Sequence, residues 1–333
     1  MSTDRLPATK TNLHDVAAAA GVSVMTVSRA LNGKGKVSAE TRNRIVTIAR
    51  ELGYRPSQTA RALRTSETRL IGMISPNLMM PLHIDITLGA KDALEQEGYR
   101  ILFDAYASSA RWDSHFSTDG DLLLGTPARA EVPDVPQVDR FRTVTLMSSA
   151  HPELDDCGTN LTQAVLLATQ HLLIAGYRHI GLLQLPNSPA SEGYALAHEQ
   201  AGFAMNRDLI RDVGNDMASV SLQVELLLGA RPVPDAFLVA GVAATPLTLR
   251  VLRRMGFQVP EDFGFVGIES RRSELGDLVY PGMTSIRIPG YEIGAAGARR
   301  LIERIRGDTS PPQKLDFPSE LVIRQSTPGP SRT

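Results

Sequence analysis

The residues that stand out chemically near the amino end are small polar side chains grouped around one arginine. Arg29 can donate two parallel hydrogen bonds to guanine O6 and N7, the commonest base-specific contact of proteins with DNA. Val24 and Met25 have no hydrogen-bonding side-chain groups, so they suit thymine methyl groups or the shape of a groove. Nearby hydroxyl and amide groups suit phosphate oxygens, and they belong to Asn12, Ser23, Thr26, Ser28, Asn32 and Ser38. This pattern predicts a surface that contacts bases and phosphates.

Hydrophobic periodicity predicts three short helices that would present these residues. The first covers about 13–20, and the second begins after Ser23, whose hydroxyl can cap it, and runs to about residue 31. Ser38 is placed to cap a longer third helix, which ends at Gly53. Two short helices around a tight glycine turn, supported by a third, are typical of a helix-turn-helix unit.

The second helix is expected to have an inner face and an outer face. The residues expected to face outward are Val24, Met25, Ser28 and Arg29. Those expected to face the core are Val27 and Leu31, together with Ile45, Ile48, Ala49 and Leu52 of the third helix. An exposed helix that carries an arginine fits the major groove of DNA.

Positive charge is concentrated in the same part of the chain. Residues 1–65 contain 11 Lys and Arg against 4 Asp and Glu, a balance of +7. Because the chain of 333 residues has a net charge of −1, the other 268 residues carry −8. A basic head on an acidic body suits a protein that presents one end to phosphates.

Composition argues against several other classes of protein. No run of about 18 apolar residues could span a membrane, and the first residues lack the apolar stretch of a secretory signal. Cys157 is the single cysteine, so no internal disulfide can form. We therefore expect a cytoplasmic protein, associated with the nucleoid when it is bound to DNA.

No GxSxG, HExxH, phosphate-binding loop or CxxC motif occurs in the sequence, so we predict no enzyme activity, cofactor or metal site.

From residue 69 onward, strands and helices alternate in the predicted pattern. Strands are predicted at 69–75, 100–106, 121–127, 143–149, 179–186, 236–241 and 263–269. Helices are predicted at 86–99, 162–177, 191–203 and 246–257, and 76–83 is predicted to be a loop. This alternation indicates two successive α/β halves with parallel sheets, and a ligand site is expected where the carboxyl ends of the strands meet.

The motifs of this chain resemble those of the LacI/GalR family of bacterial repressors. In the head the matching residues are Asp15-Val16-Ala17, Gly21-Val22-Ser23, Thr26-Val27-Ser28-Arg29, Asn32-Gly33, Val37-Ser38, Thr41-Arg42 and Leu52-Gly53-Tyr54-Arg55-Pro56. In the body they include Gly176-Tyr177, Gly193-Tyr194, Val259-Pro260-Glu261-Asp262 and Val266-Gly267. The resemblance covers essentially the whole chain.

This resemblance implies an all-α helix-turn-helix headpiece plus hinge helix, followed by a two-lobed α/β core like the periplasmic binding proteins, with parallel sheets. The expected divisions are a disordered lead-in at 1–10, the helix-turn-helix domain at 11–53, the hinge helix and linker at 54–68, and the effector-binding and dimerisation domain at 69–333. Within the core, the N-lobe is expected at about 69–147 and 286–318, and the C-lobe at about 160–284 and 320–328.

The segment 57–64 resembles the hinge helix of the family. A helix of two turns is marginal by itself in water, so it would form only when docked on DNA. In the family, two such helices enter the minor groove, where a leucine from each separates the central base step. Leu63 holds that position, and Ala60 is the small residue that lets the paired helices approach. The resemblance adds Tyr54 and Ser57 to the residues expected at DNA.

One helix-turn-helix supplies too few contacts for specific affinity, so we expect a homodimer on a near-palindromic DNA operator. The partners expected are therefore double-stranded DNA and a second copy of the chain. In the resembling family a small-molecule effector also binds between the lobes, and closure of the lobes controls the headpieces.

The expected effector cleft departs from the family pattern. Where the family supplies an arginine, an Asn-Asp pair and an Asp-Asp pair, this chain has Ala190, Gly241-Val242 and Glu269-Ser270. The first-lobe wall is apolar and rich in sulfur. The residues expected to line the cleft are Ser75, Leu78, Met80, Leu82, His83, Ala190, Gly241 and Glu269, with Glu269 as the best remaining polar anchor.

Two interpretations of this cleft follow from the sequence. Either it binds a ligand less polar than a monosaccharide, or it senses no small molecule and the protein is constitutive or controlled by a partner. The alternatives from other functional classes are a degenerate kinase or sugar isomerase and a periplasmic solute receptor. The receptor would need a signal peptide and no basic headpiece.

Overall fold

The computed structural model describes residues 11–31, 37–54, 67–75, 80–105, 118–125, 139–147 and 152–330. The chain divides into two units, residues 1–68 and residues 69–333. The lead-in predicted at 1–10 and the hinge helix predicted at 57–64 lie outside the described residues.

The amino-terminal unit contains the three predicted helices. They are α1 (Leu13–Ala20), α2 (Val24–Leu31) and α3 (Ala39–Glu51). Their shared core is made by Val16, Ala17, Ala20, Val27, Ala30, Ile45 and Ala49. Gly21 ends α1 in the left-handed conformation at φ 64°, which glycine adopts without a steric penalty, and this residue turns the chain into α2.

Two of the predicted orientations in this unit are wrong. Val24 was expected to face outward, but it is partly buried and packs against the shared core. Leu52 was expected to be buried, but 40% of its surface is exposed. Leu31 is partly buried and packs against the shared core, as predicted, and Ala30 beside it is almost fully buried.

The larger unit has two six-stranded sheets, each forming one lobe with the helices that pack on it. The first lobe has strands β1 (Leu70–Ser75), β2 (Arg100–Ala105), β3 (Gly120–Leu124), β4 (Thr143–Leu146), β5 (Asp155–Gly158) and β11 (Lys314–Asp316). Its helices are α4 (Pro81–Gln96) and α10 (Gly290–Ile305). The strand order is β11-β5-β4-β3-β1-β2, and all neighbours are parallel.

The second lobe has strands β6 (Ile180–Gln184), β7 (Ile210–Asp212), β8 (Ala236–Ala240), β9 (Gly264–Ser270), β10 (Thr284–Ile288) and β12 (Glu320–Val322). Its helices are α5 (Leu161–Ala175), α6 (Ala190–Ala201), α7 (Met217–Leu228), α8 (Ala244–Arg254) and α9 (Leu275–Leu278), with a 3-10 turn at Arg207–Leu209. The order is β12-β10-β9-β8-β6-β7, with β12 antiparallel to β10 and the other neighbours parallel. The predicted two-lobed parallel architecture is confirmed.

The chain passes between the lobes three times, after β5, after β10 and after β11. The whole of β10 belongs to the second sheet, so the second passage lies at Pro289, a few residues beyond the 284–286 boundary expected from the sequence. Helix α4 begins at Pro81 inside the segment predicted as a loop, because proline suits the first turn of a helix.

Helices α4 and α10 pack unusually closely in the first lobe. A Cβ atom on Gly89 would lie 1.9 Å from the carbonyl oxygen of Tyr291, and one on Gly294 would lie 1.8 Å from that of Ile86. Both distances are far below van der Waals contact, so only glycine fits these positions. The close packing fixes the position of α4, whose first turns reach the carboxyl ends of the strands.

Candidate nucleic-acid interface and cleft

Helix α1 begins with a capping box. The Asn12 side-chain oxygen accepts hydrogen bonds from the backbone N–H groups of His14 at 2.7 Å and Asp15 at 3.3 Å. In return the Asp15 carboxylate accepts from the backbone N–H of Asn12 at 2.8 Å. This reciprocal pair satisfies backbone groups that the helix cannot, and it fixes Asn12 at the exposed start of α1.

Helix α2 is the element that presents the arginine. The Ser23 hydroxyl accepts from the backbone N–H of Thr26 at 3.2 Å and lies 2.9 Å from the Thr26 hydroxyl, so Ser23 caps the helix as predicted. Met25 is 63% exposed, and Arg29, one turn later on the same side, is also exposed. Arg29 makes no ion pair among the described residues, so its guanidinium is available to a partner.

Helix α3 is capped and fastened to α1. The Ser38 hydroxyl accepts from the backbone N–H of Thr41 at 3.2 Å and donates to the Thr41 hydroxyl at 2.8 Å. One turn further along the helix, Arg44 Nη2 donates to the carbonyl oxygen of Ala20 at 2.8 Å. The sequence pattern did not single out Arg44, although a basic residue near the carboxyl end of another helix is a favourable arrangement.

Tyr54 lies at the end of this unit, partly buried against its core. Burial raises the pKa of its hydroxyl above the ordinary value, so the group stays protonated at neutral pH and can donate a hydrogen bond. Asn32, Ser57, Ala60 and Leu63, which were also expected at DNA, lie outside the described residues.

In the first lobe, two of the predicted cleft residues lie together. Ser75 ends β1, and its hydroxyl is 3.2 Å from Nδ1 of His83 in the first turns of α4. The His83 ring also faces Gly125 at the end of β3. Met80 precedes α4 and is partly buried, and Leu78 lies outside the described residues. Leu82 does not line a cleft, since it is 4% exposed and packs in the core close to Gly290.

In the second lobe, the predicted cleft residues do not offer free polar groups. Ala190 starts α6 and is fully buried, and Gly241 follows β8 with its carbonyl oxygen accepting from Thr245 at 2.9 Å. Gln184, at the end of β6, was not among the predicted cleft residues; its side chain donates to Asp212 at 3.0 Å and accepts from the backbone N–H of Ser191 at 2.9 Å. These contacts use the hydrogen-bonding groups within the lobe itself.

Glu269, expected to be the polar anchor of the cleft, has an internal role instead. Its carboxylate is buried and accepts from the Ser285 hydroxyl at 2.6 Å and from the backbone N–H of Gly276 at 2.9 Å. Arg324 Nη1 lies 3.6 Å away. The expectation is wrong because partners from β10 and from the carboxyl-terminal segment hold the side chain inside the lobe.

Comparison with known proteins gives the family. Residues 12–57 match the family of bacterial regulatory proteins of the lacI type, and residues 169–327 match the periplasmic binding protein-like domain. The chain is 30% identical to the HTH-type transcriptional regulator PtxS of Pseudomonas plecoglossicida over 332 residues, which covers 96% of each protein. The chain belongs to the LacI family. It is therefore a DNA-binding transcriptional regulator.

Other LacI-family proteins show the same agreement over the full length. The chain is 29% identical to the HTH-type transcriptional repressor CytR of Escherichia coli, covering 96% of this chain and 97% of that one. Among solved structures, a complex of the regulator CelR with cellobiose superposes with a TM-score of 0.70 at 27% identity, covering 95% of this chain and 99% of that one.

The lac repressor dimer bound to operator and the anti-inducer ONPF has a TM-score of 0.78 with this LacI-family chain, at 23% identity, covering 95% and 99% of the two chains. This structural similarity supports the fold described above. Within the described part of the chain, no helix is long and apolar enough to cross a membrane.

Proposed function

We propose that this LacI-family regulator is a repressor that binds a near-palindromic operator as a homodimer. The observation that carries the proposal is the exposed face of α2, where Met25 and Arg29 lie on a helix supported from behind by α1 and α3. Arg29 would pair with a guanine in each half-site, and Met25 would contact thymine methyl groups or the groove wall. The capped starts of α1, α2 and α3 would approach phosphates.

The test is a footprint of the full chain on DNA fragments retained from a genomic pool. We expect protection of a two-fold symmetric site in which the half-site centres lie about one helical turn apart. Uniform protection of every fragment, or none at moderate salt, would contradict the proposal.

A groove in the second lobe supports the homodimer. It has a volume of about 840 Å³ and lies between α8 and the segment that follows α9. Leu278 and Tyr280 border it and are 77% and 90% exposed. Two neighbouring apolar side chains that are this exposed beside a groove form a patch, and contiguous apolar patches are typical of surfaces that a second protein covers. A stable dimer buries about 1,600 Å² in total, so this groove would be one part of a larger interface.

The oligomeric state of a Tyr280→Glu variant tests this location. A charge placed in an apolar interface is expensive to bury, so we expect the variant to sediment as a monomer at micromolar concentration while the parent sediments as a dimer. Ile323→Glu, which changes another exposed apolar residue, is the matched control. A dimer in both variants would exclude this groove from the interface.

For the hinge we propose the role that the family resemblance assigns. Residues 57–64 would fold as a helix on the operator, with Ala60 at the contact between the two copies and Leu63 inserted into the central base step. Folding of this segment would link the core to the headpieces, and the same segment would stay unfolded on DNA that does not kink.

We propose that the cleft takes no hexose or disaccharide, so that the regulator is constitutive or controlled by a partner. The polar groups of Gln184, Glu269 and Ser270 are hydrogen-bonded within the protein, and a sugar hydroxyl would have to break those contacts on leaving water. The related CelR binds cellobiose. Calorimetry of the full chain with common hexoses and with disaccharides such as cellobiose should give no binding heat, and a micromolar affinity for any of them would contradict the proposal.

A second candidate is a less polar effector, which the pairing of Ser75 with His83 favours. This pair gives the first-lobe wall one hydroxyl and one imidazole beside the partly buried Met80. Suppose that a metabolite with few hydroxyl groups gives a binding heat and that His83→Leu abolishes this heat. That result would favour a less polar effector over a cleft that binds no small molecule. In either case we propose that the protein acts by binding rather than catalysis, in the cytoplasm and at the nucleoid.

A further inference from the structure

Three consecutive residues, Glu269–Arg271, connect separate parts of the core at the carboxyl end of β9. We call this segment the β9 junction. Its first residue, Glu269, is buried and holds Ser285 and the backbone of Gly276, so it anchors the junction firmly in the second lobe. The other two residues reach beyond that lobe.

The second residue of the junction crosses to the first lobe. The Ser270 hydroxyl donates a hydrogen bond to Oδ2 of Asp85. Ser270 is 1% exposed at the end of a second-lobe strand, whereas Asp85 lies in α4 of the first lobe. The contact therefore spans the cleft between the lobes, with a protein carboxylate on one side and a protein hydroxyl on the other.

The third residue holds two of the three passages between the lobes. Arg271 Nη1 lies 3.2 Å from the carboxylate of Glu292 in α10, which follows the passage at Pro289. Arg271 Nη2 lies 3.3 Å from the carboxylate of Glu320 and donates to the carbonyl oxygen of Pro318 at 3.1 Å, beside the passage before β12. One guanidinium thus joins both connecting segments.

Backbone contacts add to this connection. The backbone N–H of Arg271 donates to the carbonyl oxygen of Ile288 at 2.7 Å, and its carbonyl oxygen accepts from the guanidinium of Arg287. At the remaining passage, the Thr159 hydroxyl donates to the carbonyl oxygen of Phe317 and lies 2.7 Å from the Ser319 hydroxyl. All three passages are therefore held by contacts within the protein.

We propose that the β9 junction is an internal tether that sets the angle between the lobes, with Asp85 supplying the contact across the cleft. The proposal rests on the proposed function, because it explains how the lobes can be held in place in a protein whose cleft takes no hexose or disaccharide. A ligand shifts a conformational equilibrium only through contacts that differ between the two states. In this proposal the Asp85–Ser270 contact is made in one lobe arrangement and lost in the other, and both of its groups belong to the protein itself.

The experiment removes either hydrogen-bonding partner of the Asp85–Ser270 contact in the full chain, and no ligand is added. The variants are Asp85→Ala, Ser270→Ala and the double substitution. Asp92→Ala is the matched control, because Asp92 is also a carboxylate of α4 and accepts a hydrogen bond from the Tyr291 hydroxyl at 2.8 Å inside the first lobe. The readouts are the radius of gyration from small-angle scattering and the Kd for a selected operator.

We expect each single variant to increase the radius of gyration and to change the operator Kd by about fivefold or more, the range usual for coupling between sites. The double variant should match either single variant, since both remove the same contact. Asp85→Asn keeps an acceptor oxygen and should behave like the parent chain. If Asp85→Ala does not fold, Ser270→Ala removes a single oxygen atom and carries the test alone.

If the single variants keep the radius of gyration and the operator Kd of the parent chain, the proposed tether is wrong. Multiplicative effects in the double variant, or the same change in Asp92→Ala, would also overturn it. Failure of the proposed function would show itself differently, as a parent chain that selects no DNA sequence, and the scattering comparison would still report on the tether in that case.

Discussion

Arg44 in α3 donates a hydrogen bond from Nη2 to the carbonyl oxygen of Ala20, the last residue of α1, over 2.8 Å. The contact lies immediately before Gly21, which turns the chain into α2. It therefore holds the two supporting helices together at the point where the exposed helix begins. The orientation of Met25 and Arg29 depends on this packing.

Arg44→Met should loosen the headpiece while keeping the aliphatic part of the side chain. We expect a loss of about 1 kcal/mol, because the variant gives up one hydrogen bond to a helix carboxyl end. Faster amide hydrogen exchange in α1 and α3 of the full chain would report it. Arg50→Met, at an exposed position of the same helix, is the control, and equal exchange in the two variants would contradict the role of Arg44.

Arg29→Ala should weaken operator binding by about 1–3 kcal/mol and relax the preference at one base pair in each half-site, because a bidentate base contact is lost. Binding measured on operators with each base substituted in turn would show the relaxed position. Arg50→Ala removes the same charge from the unit and should lower affinity for all sequences alike. A uniform loss in Arg29→Ala would identify Arg29 as a phosphate contact.

Leu63→Ala should weaken binding to the operator more than binding to unrelated DNA. Inserting an apolar side chain into a base step costs a few kcal/mol of unstacking, which the kinked complex recovers through added contacts. Fluorescence anisotropy on a selected operator and on a scrambled duplex of the same composition measures the difference. Equal losses on the two duplexes would be inconsistent with an inserted leucine.

Asp155→Asn should destabilise the larger unit by about 3 kcal/mol at neutral pH, since it removes the buried carboxylate that faces two buried arginines, Arg300 and Arg304. Arg304 Nε donates to Asp155 at 2.6 Å, and Arg300 Nε lies 3.0 Å from it. Burial acts to raise the pKa of Asp155, but hydrogen bonds from Arg304, the Gln313 backbone and Arg300 outweigh it and lower the pKa.

The sign of the pH dependence follows from that lowered pKa. The parent chain has its full advantage over Asp155→Asn above the unfolded carboxyl pKa of about 3.9, and loses it as the pH falls through the lower folded value. Urea unfolding of both chains between pH 7 and pH 3 measures this. A difference that grows toward acid pH would contradict the assignment.

Local signals in the sequence were enough to predict the headpiece. Ser23 and Ser38 cap their helices as their positions indicated, and Val27 and Ile45 are buried as the periodicity required. The sequence analysis predicted no helix at α10, and its three glycines, Gly290, Gly294 and Gly297, weaken a helical pattern. Gly290 and Gly294 lie against α4, about 200 residues earlier in the chain, and Gly297 lies against Leu146 of β4, so no local pattern contains the contacts that require them.

The cleft was the least predictable part for the same reason. Glu269 and Ser270 end a strand whose position was predicted well, but their side chains are held by Ser285, Arg324 and Asp85. The partner with which a polar side chain forms a hydrogen bond or ion pair depends on the packing of segments that are distant in the sequence. The family pattern therefore gave the places of Glu269 and Ser270 in the chain, but it did not give the contacts of their side chains.

Selection of bound duplexes from random DNA with the full chain tests whether two copies of α2 read a symmetric site. We expect enrichment of a near-palindrome with half-sites about one turn apart, and loss of information at a single position in each half-site when Arg29→Ala is used. A pool without symmetry, or the same motif recovered by both proteins, would contradict this expectation.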